Sequence, residues 1–218
     1  MVIKLFRQVS DYIDTLPKEQ RAIIYAVLED IKQYGLQAPL VSMRQIKGKL
    51  WEIKISQSRI FYVIIEKNTM VLLHAYKKQS QKAPQHEIET AIRRMKDILE
   101  NKNKEVVSMK THTHVKDIYR LEDAINKQEK DREFKILLDK ARLRVAIARQ
   151  IKIAREEAGL SQSELADALG ISQPMIGRLE GLKDNRLPSI ELLAKIASIT
   201  KKKLVVNQPG FHLELACM

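Results

Sequence analysis

Four basic side chains lie near the ends of predicted strands in one β-rich stretch of the sequence. Alternation along a strand puts Lys54 on one face, and a tight turn then places Arg59 on the same side of the next strand. Lys77 and Lys78 end the third strand. Cations that converge on one sheet surface can cradle a phosphodiester, although scattered Lys and Arg are also routine on a solvated sheet face.

The elements that position these cations are predicted from hydrophobic patterning. Three β-type runs separated by polar turns at 57–58 and 67–69 predict an antiparallel meander: Leu50–Ser56, Arg59–Glu66 and Met70–Tyr76. The first turn would set Ser56 opposite Arg59. Helices are predicted at 18–34, after Pro17, and at 85–99, and a short strand within 2–9.

The order of these segments resembles a known family. The motifs GKLWEIKI, SRIFY and VLLHAYKKQSQKAP, followed by EIETAIRRMKDIL, are similar to HigB-type toxins of the RelE superfamily over roughly residues 2–99. The resemblance implies an α+β fold with a RelE-like antiparallel sheet and helices. It also implies cleavage of mRNA, on the ribosome or free, in which the ribose 2′-hydroxyl attacks the adjacent phosphorus and positive charge stabilises the transition state.

The resemblance assigns roles residue by residue. Lys54 matches a basic residue implicated in the reaction, and Arg59 matches the arginine expected to hold the scissile phosphate. Lys78 lies near a second phosphate-binding position, with Lys77 as its substitute. His74 belongs to the LLHAYKK signature and is either an acid–base group or a partly buried structural histidine.

Other acid–base candidates carry weaker support: Glu52, Tyr76 and His86. Glu52 is expected to pair with Lys54 or with solvent. The catalytic tyrosine of some RelE members has no counterpart after Gln85. No His, Asp and Glu cluster has metal-ligand spacing, and a metal site at His112 and His114 is disfavoured. We therefore expect neither a metal nor a cofactor.

The C-terminal third contains residues that typically begin and end short helices. Gly159, Gly170 and Gly181 end helices, Ser161 with Glu164 forms a capping box, and further helices begin at Ser172 and Ser189. Two short helices joined by a tight turn that contains glycine predict a helix-turn-helix.

The run SQSELADALGISQPMIGRLEG resembles the Xre/Cro type of DNA-binding domain. Its second helix would read bases through Gln173 and Arg178, because Gln pairs with adenine and Arg with guanine. Gln162 and Ser172 would contact phosphates at helix N-termini, and Pro174 would make apolar contacts only. The tail KKKLVV resembles a strand that pairs with its two-fold mate, which implies a homodimer on operator DNA.

The domain layout follows from these resemblances. Residues 1–104 form the RelE/HigB-like domain, 105–114 a linker or chain junction, 115–145 a helical segment that contacts the toxin domain, and 146–218 the helix-turn-helix domain. Met109 is a candidate former start codon, so the chain reads as a natural or engineered fusion, or as two concatenated chains. The segment 115–145 would block or distort the toxin site, or merely cap the next domain.

Composition limits the class of protein. The net charge of +12 favours polyanionic partners, and both halves share it: 19 Lys and Arg against 12 Asp and Glu in residues 1–108, and 20 against 15 in 109–218. The single cysteine, Cys217, excludes an internal disulfide. No apolar run is long enough to cross a bilayer, and the N-terminus lacks a signal-peptide pattern, so a cytoplasmic location without membrane contact is expected.

The sequence favours a toxin–antitoxin protein of the HigB and HigA kind. Its partners would be mRNA and the ribosome for the first part, and operator DNA for the second. One alternative is a DNA-binding regulator whose RelE-like domain is inactive. Another is an RNA-binding module that does not cleave.

Overall fold

The structure is a computed structural model that describes residues 1–36, 40–66, 68–78, 83–104, 117–182, 186–207 and 212–217. The chain divides into two compact units, Met1–Ala141 and Arg142–Met218. Met109, His112, His114, Lys82 and the whole predicted linker 105–114 lie outside the described residues.

The first unit is α+β. Its strands are β1 Val2–Phe6, β2 Met43–Lys47, β3 Leu50–Ile55, β4 Ser58–Ile65, β5 Thr69–Lys77 and β6 Ile118–Arg120. Its helices are α1 Arg7–Asp14, α2 Lys18–Tyr34, α3 Gln85–Lys104, α4 Leu121–Gln128 and the first part of α5 Arg132–Glu157. The strands form one sheet in the order β2-β3-β4-β5-β1-β6.

The predicted meander is confirmed, because β3, β4 and β5 pair antiparallel in sequence order. The prediction of a wholly antiparallel sheet is wrong, because β1 pairs parallel with β5. Alternating hydrophobicity specifies hairpins between neighbouring strands. Strand β1 is instead separated from its partner β5 by residues 7–68, which contain two helices and three strands, so local pattern does not encode this pairing.

The first turn of the meander lies one residue earlier than predicted. Ile55 pairs with Ser58, so Ser56 and Gln57 form the turn, and Ser56 adopts a φ of 51°. Positive φ at a central turn position suits the twist of a two-residue hairpin. Ser56 therefore does not face Arg59, whose partner is Lys54.

The core lies between the sheet and its helices. Helix α2 has the predicted bounds and ends at Gly35, with φ of 78°. Nine of its residues are buried, among them Tyr25 and Leu28, against strand residues such as Ile3 and Leu72 that are fully buried. Helix α3 begins at Gln85 as predicted but extends to Lys104.

The segment predicted as a helix from Val115 begins differently. Residues Ile118–Arg120 form β6, an edge strand antiparallel to β1, before α4 starts at Leu121. The three-residue run IYR is β-prone, and the free edge of β1 offers it backbone partners. Residues up to Ala141 belong to the first unit.

The second unit contains the rest of α5, α6 Gln162–Leu169, α7 Gln173–Glu180, α8 Ile190–Ile199 and the strands β7 Lys202–Asn207 and β8 His212–Cys217. The predicted capping box at Ser161 and Glu164 is present, and Gly170 ends α6 in the left-handed conformation. Strand β7 pairs with β8 of the same chain. The sequence did not predict this internal hairpin, and pairing of the tail with a two-fold mate stays a prediction.

No helix among the described residues is long and apolar enough to cross a membrane. Within the same residues, no group of three or more His, Cys, Asp or Glu side chains is placed to hold a metal ion.

Candidate nucleic-acid sites

Lys54 and Arg59 lie on the same sheet face, as the alternation predicted, and they are direct cross-strand partners, which the predicted turn did not give. Arg59 is only 9% exposed, and its Nη1 donates to the carbonyl oxygens of Ser58 (2.9 Å) and Ser56 (3.2 Å). The turn that joins the two strands therefore fixes the guanidinium. Lys54 is half-buried, and its amine has no partner among the described residues. Arg59 is thus held in place by the turn, whereas the Lys54 amine is available to bind an anion.

Glu52 organises the cations beside this pair. Its side chain is fully buried and accepts a forked contact from Arg44, Nε to Oε1 at 2.8 Å and Nη2 to Oε2 at 3.2 Å. The Tyr76 hydroxyl donates to Oε2 at 3.1 Å, and the Nε of Arg59 lies 4.0 Å from Oε1. The expected pairing of Glu52 with Lys54 or solvent is wrong. Glu52 positions Arg44 and Tyr76, and its buried carboxylate cannot contact a substrate.

Tyr76 lies opposite Arg59 on β5 and stacks on Phe61, with ring centroids 5.5 Å apart. Burial, with the adjacent charge of Glu52, raises the pKa of Tyr76 far above its usual value. The hydroxyl therefore stays protonated and donates to Glu52. Three adjacent strands thus place Lys54, Arg59 and Tyr76 in one row on the same sheet face.

Lys77 and Lys78 do not both join this row. Lys77 pairs with Ser58, one residue from the Arg59–Tyr76 pair, so it lies on the opposite face of the sheet. Lys78 directly follows the strand, and its backbone N–H donates to the carbonyl oxygen of Gln57 at 2.9 Å. Of the two predicted lysines, Lys78 is the one whose position suits a shared anion site.

His74 belongs to a cluster that sequence analysis did not find. Its Nε2 is hydrogen-bonded to Glu87, and its Nδ1 accepts from Nη1 of Arg94 at 3.2 Å. Glu87 and Arg94 lie seven residues apart, two turns on one side of α3. The sequence shows this spacing, but it does not show that the two side chains contact a histidine on a strand. Arg94 also donates to the Leu73 carbonyl oxygen, at 2.7 Å.

The pKa of His74 is lowered chiefly by burial, although Glu87 raises it in part and Arg94 and His86 add to the lowering. The close contact with Glu87 is therefore a hydrogen bond from a neutral imidazole rather than an ion pair. Both ring nitrogens are hydrogen-bonded, so His74 links β5 to α3, an arrangement that favours the structural alternative over the acid–base one.

We expect the free energy of unfolding to fall as pH drops below about 6.5, the ordinary histidine value. Between that value and its own lowered pKa, His74 stays neutral when folded but takes up a proton when unfolded, which favours the unfolded chain. Urea unfolding of wild type and His74→Gln at neutral and mildly acidic pH tests this. The variant should lose part of the acid-side slope, and an unchanged slope would contradict the assignment.

The second site lies on α6 and α7. Ser172, Gln173, Pro174 and Arg178 are exposed on α7 and its N-terminus, as predicted. The Ser172 side chain makes no capping hydrogen bond, and the Arg178 guanidinium has no partner among the described residues. Met175, 37% exposed, lies on the same surface, and sequence analysis did not select it.

A chain of hydrogen bonds runs beneath this surface. Buried Glu180 accepts from Nε of Arg155 at 2.6 Å and from Nη2 at 3.0 Å. It also accepts from Nε2 of Gln162 at 2.8 Å, while Oε1 of Gln162 accepts from Nε2 of Gln173 at 2.9 Å. Gln162 thus orients Gln173 and has less capacity for the predicted phosphate contact.

Comparison with known proteins places both regions. Residues 11–96 match the family described as Phage derived protein Gp49-like, and residues 151–206 match the helix-turn-helix family. A Haemophilus influenzae protein named as an uncharacterized HTH-type transcriptional regulator is 36% identical over 64 residues, which are 29% of this chain. The match spans 63% of that relative's length.

These similarities support a toxin–antitoxin-like arrangement. The Gp49-like family is grouped with toxins related to RelE, and the first region is similar to that family. The helix-turn-helix match supports DNA binding and transcription regulation. The chain thus combines a domain similar to Gp49-like proteins with a helix-turn-helix domain similar to that of a transcriptional regulator.

Proposed function

We propose that this chain is a toxin–antitoxin protein of the HigB and HigA kind. Its first unit is a metal-independent mRNA endonuclease that acts on the ribosome, and its helix-turn-helix represses its own operator, as a homodimer. The observation that carries the nuclease is the Lys54–Arg59 pair, with Arg59 fixed by the turn and Lys54 available. These activities would operate in the cytoplasm.

In the proposed reaction, the 2′-oxygen forms a bond to phosphorus while the bond from phosphorus to the 5′-oxygen breaks. The 2′-hydroxyl loses a proton, and the leaving oxygen gains one. Arg59 and Lys54 would stabilise the negative charge that develops on the phosphoryl oxygens. Lys78 would support the same charge. Glu52 and His74 would act by positioning, because their polar atoms are already bonded.

Arg59→Ala is the direct test. Hydrogen bonds to charged groups contribute about 1.5–3 kcal/mol, so we expect mRNA cleavage by residues 1–104 to fall more than about tenfold, with loss of growth arrest. Transcript integrity on induction is the measurement. Lys96→Ala removes an exposed cation from α3 and should change nothing. If both changes lowered cleavage equally, cleavage would depend on the overall positive charge and not on Arg59 in particular.

The antitoxin role rests on residues 117–141, which complete the sheet of the first unit. Helix α4 and the start of α5 contribute ion pairs with α2, Lys32 to Glu122 and Lys18 to Asp131. Supplying residues 105–218 separately should therefore rescue cells that express residues 1–104. Failure to rescue would contradict neutralisation through this contact.

Arg178→Ala tests the DNA-binding part. A bidentate contact to a base contributes about 1–3 kcal/mol of discrimination, so affinity for the chain's own promoter DNA should fall about tenfold while non-specific binding changes little. Titration of specific and scrambled duplexes at one salt concentration measures this. Lys195→Ala, which removes an exposed cation paired only with Glu191, is the control. Equal losses on both duplexes would make Arg178 a phosphate contact.

One observation favours a second candidate. Glu52 is buried and His74 has both nitrogens bonded, so neither is free to act as a base. A regulator whose first unit binds RNA without cutting it would need only the cations. If RNA stayed intact and bound in a salt-sensitive way, this second candidate would be favoured over the nuclease.

A further inference from the structure

The hairpin of β2 and β3 forms a basic edge of the sheet, because β2 is the outermost strand. Residues 43–51, MRQIKGKLW, contain three cations and no acidic residue. Lys47 ends β2, Lys49 follows Gly48 in the turn, and both lysines are exposed, while Arg44 keeps 41% of its side chain exposed although it pairs with Glu52. Glu52 of β3 therefore pairs with Arg44, whereas Lys47 and Lys49 have no acidic partner among the described residues of the hairpin.

Trp51 lies in the same hairpin and is the only tryptophan of the chain. It is 36% exposed, and its indole has no ring contact or hydrogen bond among the described residues. Its cross-strand neighbours are Gln45 and buried Tyr62. Tryptophan is enriched at binding interfaces, because its large flat ring contributes apolar area and its N–H contributes a hydrogen-bond donor.

The tip of the hairpin is held in shape. Gly48 takes a φ of 54°, and the Gln45 amide donates to its carbonyl oxygen at 2.7 Å. The lysines are therefore carried on an ordered turn. Lys47 pairs with Leu50, the residue before Trp51, so it leaves the hairpin on the face opposite the indole, and Lys49 lies at the tip between them. Proteins bind single-stranded nucleic acid by combining an aromatic ring that stacks on a base with cations that contact the phosphates, and here the strand would pass over the hairpin tip.

We propose that this hairpin is a second RNA contact, in which Trp51 stacks on an unpaired base and Lys47 and Lys49 bind the flanking phosphates. The inference rests on the proposed function, because it extends the path of the same RNA. Trp51 lies about 10 Å along β3 from Lys54 but on the other face. RNA that occupies both sites must cross the edge strand β2.

Trp51 fluorescence tests the contact in the full chain. The probe is a short 2′-O-methyl oligoadenylate, which lacks the attacking hydroxyl and so stays intact whether or not the protein is a nuclease. Because Trp51 is the sole tryptophan, the emission originates from this hairpin, and the abasic strand and the lysine variants separate stacking on Trp51 from binding at other sites. We expect saturable quenching by this oligomer and little quenching by an abasic strand of equal length.

Lys47→Ala with Lys49→Ala should raise the quenching midpoint and reduce the salt slope by about 1.4, which corresponds to two lost phosphate contacts on a single strand. Lys130→Ala with Lys135→Ala removes two exposed lysines elsewhere and should leave the midpoint unchanged. Unchanged emission at saturating RNA would overturn the inference, as would equal midpoints in the two double variants. Quenching by RNA without any cleavage would contradict the proposed nuclease activity but still support this RNA contact.

Discussion

Replacing Arg155 by Met is expected to lower the opening free energy of the second unit by about 3–5 kcal/mol. The change leaves the Glu180 carboxylate buried at 4% exposure without its forked partner. Among the described residues, the amide of Gln162 is the one hydrogen-bond donor that would remain bonded to it. Removing one partner of a buried ion pair costs more than the pair contributes, because the second charge stays desolvated.

Hydrogen exchange of the α6 and α7 amides in the intact chain measures this effect without requiring a single unfolding transition. Arg178→Met is the matched control, because it deletes an exposed guanidinium of the same surface and should shift protection by less than about 0.5 kcal/mol. Combining Arg155→Met with Glu180→Leu should restore much of the loss. A single variant as well protected as the control would show that the pair is not essential.

The same change should affect DNA recognition, because Glu180 holds Gln162 and Gln162 holds Gln173. A residue outside the DNA-facing surface thereby sets the orientation of a predicted base reader. The sequence identified Gln173 as a reader from its place at the helix start. It gave no sign of Arg155, because the ion pair joins residues 25 positions apart on different helices.

Local signals predicted the helix-turn-helix well. The capping box at Ser161 and Glu164 and the left-handed Gly170 involve residues within a few positions of each other, so their types alone specify the geometry. The tail was predicted as a strand for the same reason. Its partner β8 was missed, since pairing across a loop depends on tertiary context.

The cationic site was predicted in part, and a bulge explains the rest. Lys54 and Arg59 pair across a single hairpin, so alternation found them despite the one-residue error in the turn. The register of β4 and β5 shifts between Phe61 and Tyr62. This shift inserts one extra residue in β5, which sets Tyr76 opposite Arg59 and sends Lys77 to the other face. No local sequence pattern in β5 predicts this register shift.

Phe134→Ala is expected to weaken the attachment of residues 117–141 by about 3–5 kcal/mol. Phe134 is fully buried, its ring meets that of Tyr25 edge-on at 6.2 Å, and the Arg21 guanidinium lies 5.5 Å over its face. Truncation leaves a cavity in the first unit and removes both ring interactions. Hydrogen exchange of β1 and α4 in the full chain reports the loss, since β6 covers the edge of β1.

Ile136→Ala offers a matched control on the same helix, because Ile136 is 62% exposed and its truncation should leave exchange unchanged. The two variants also separate attachment from neutralisation. If residues 117–141 restrain the proposed nuclease, induction of full-length Phe134→Ala should arrest growth while Ile136→Ala should not. Faster exchange in β1 without growth arrest would place the restraint elsewhere in the chain, whereas equal exchange in both variants would show that Phe134 does not anchor the segment.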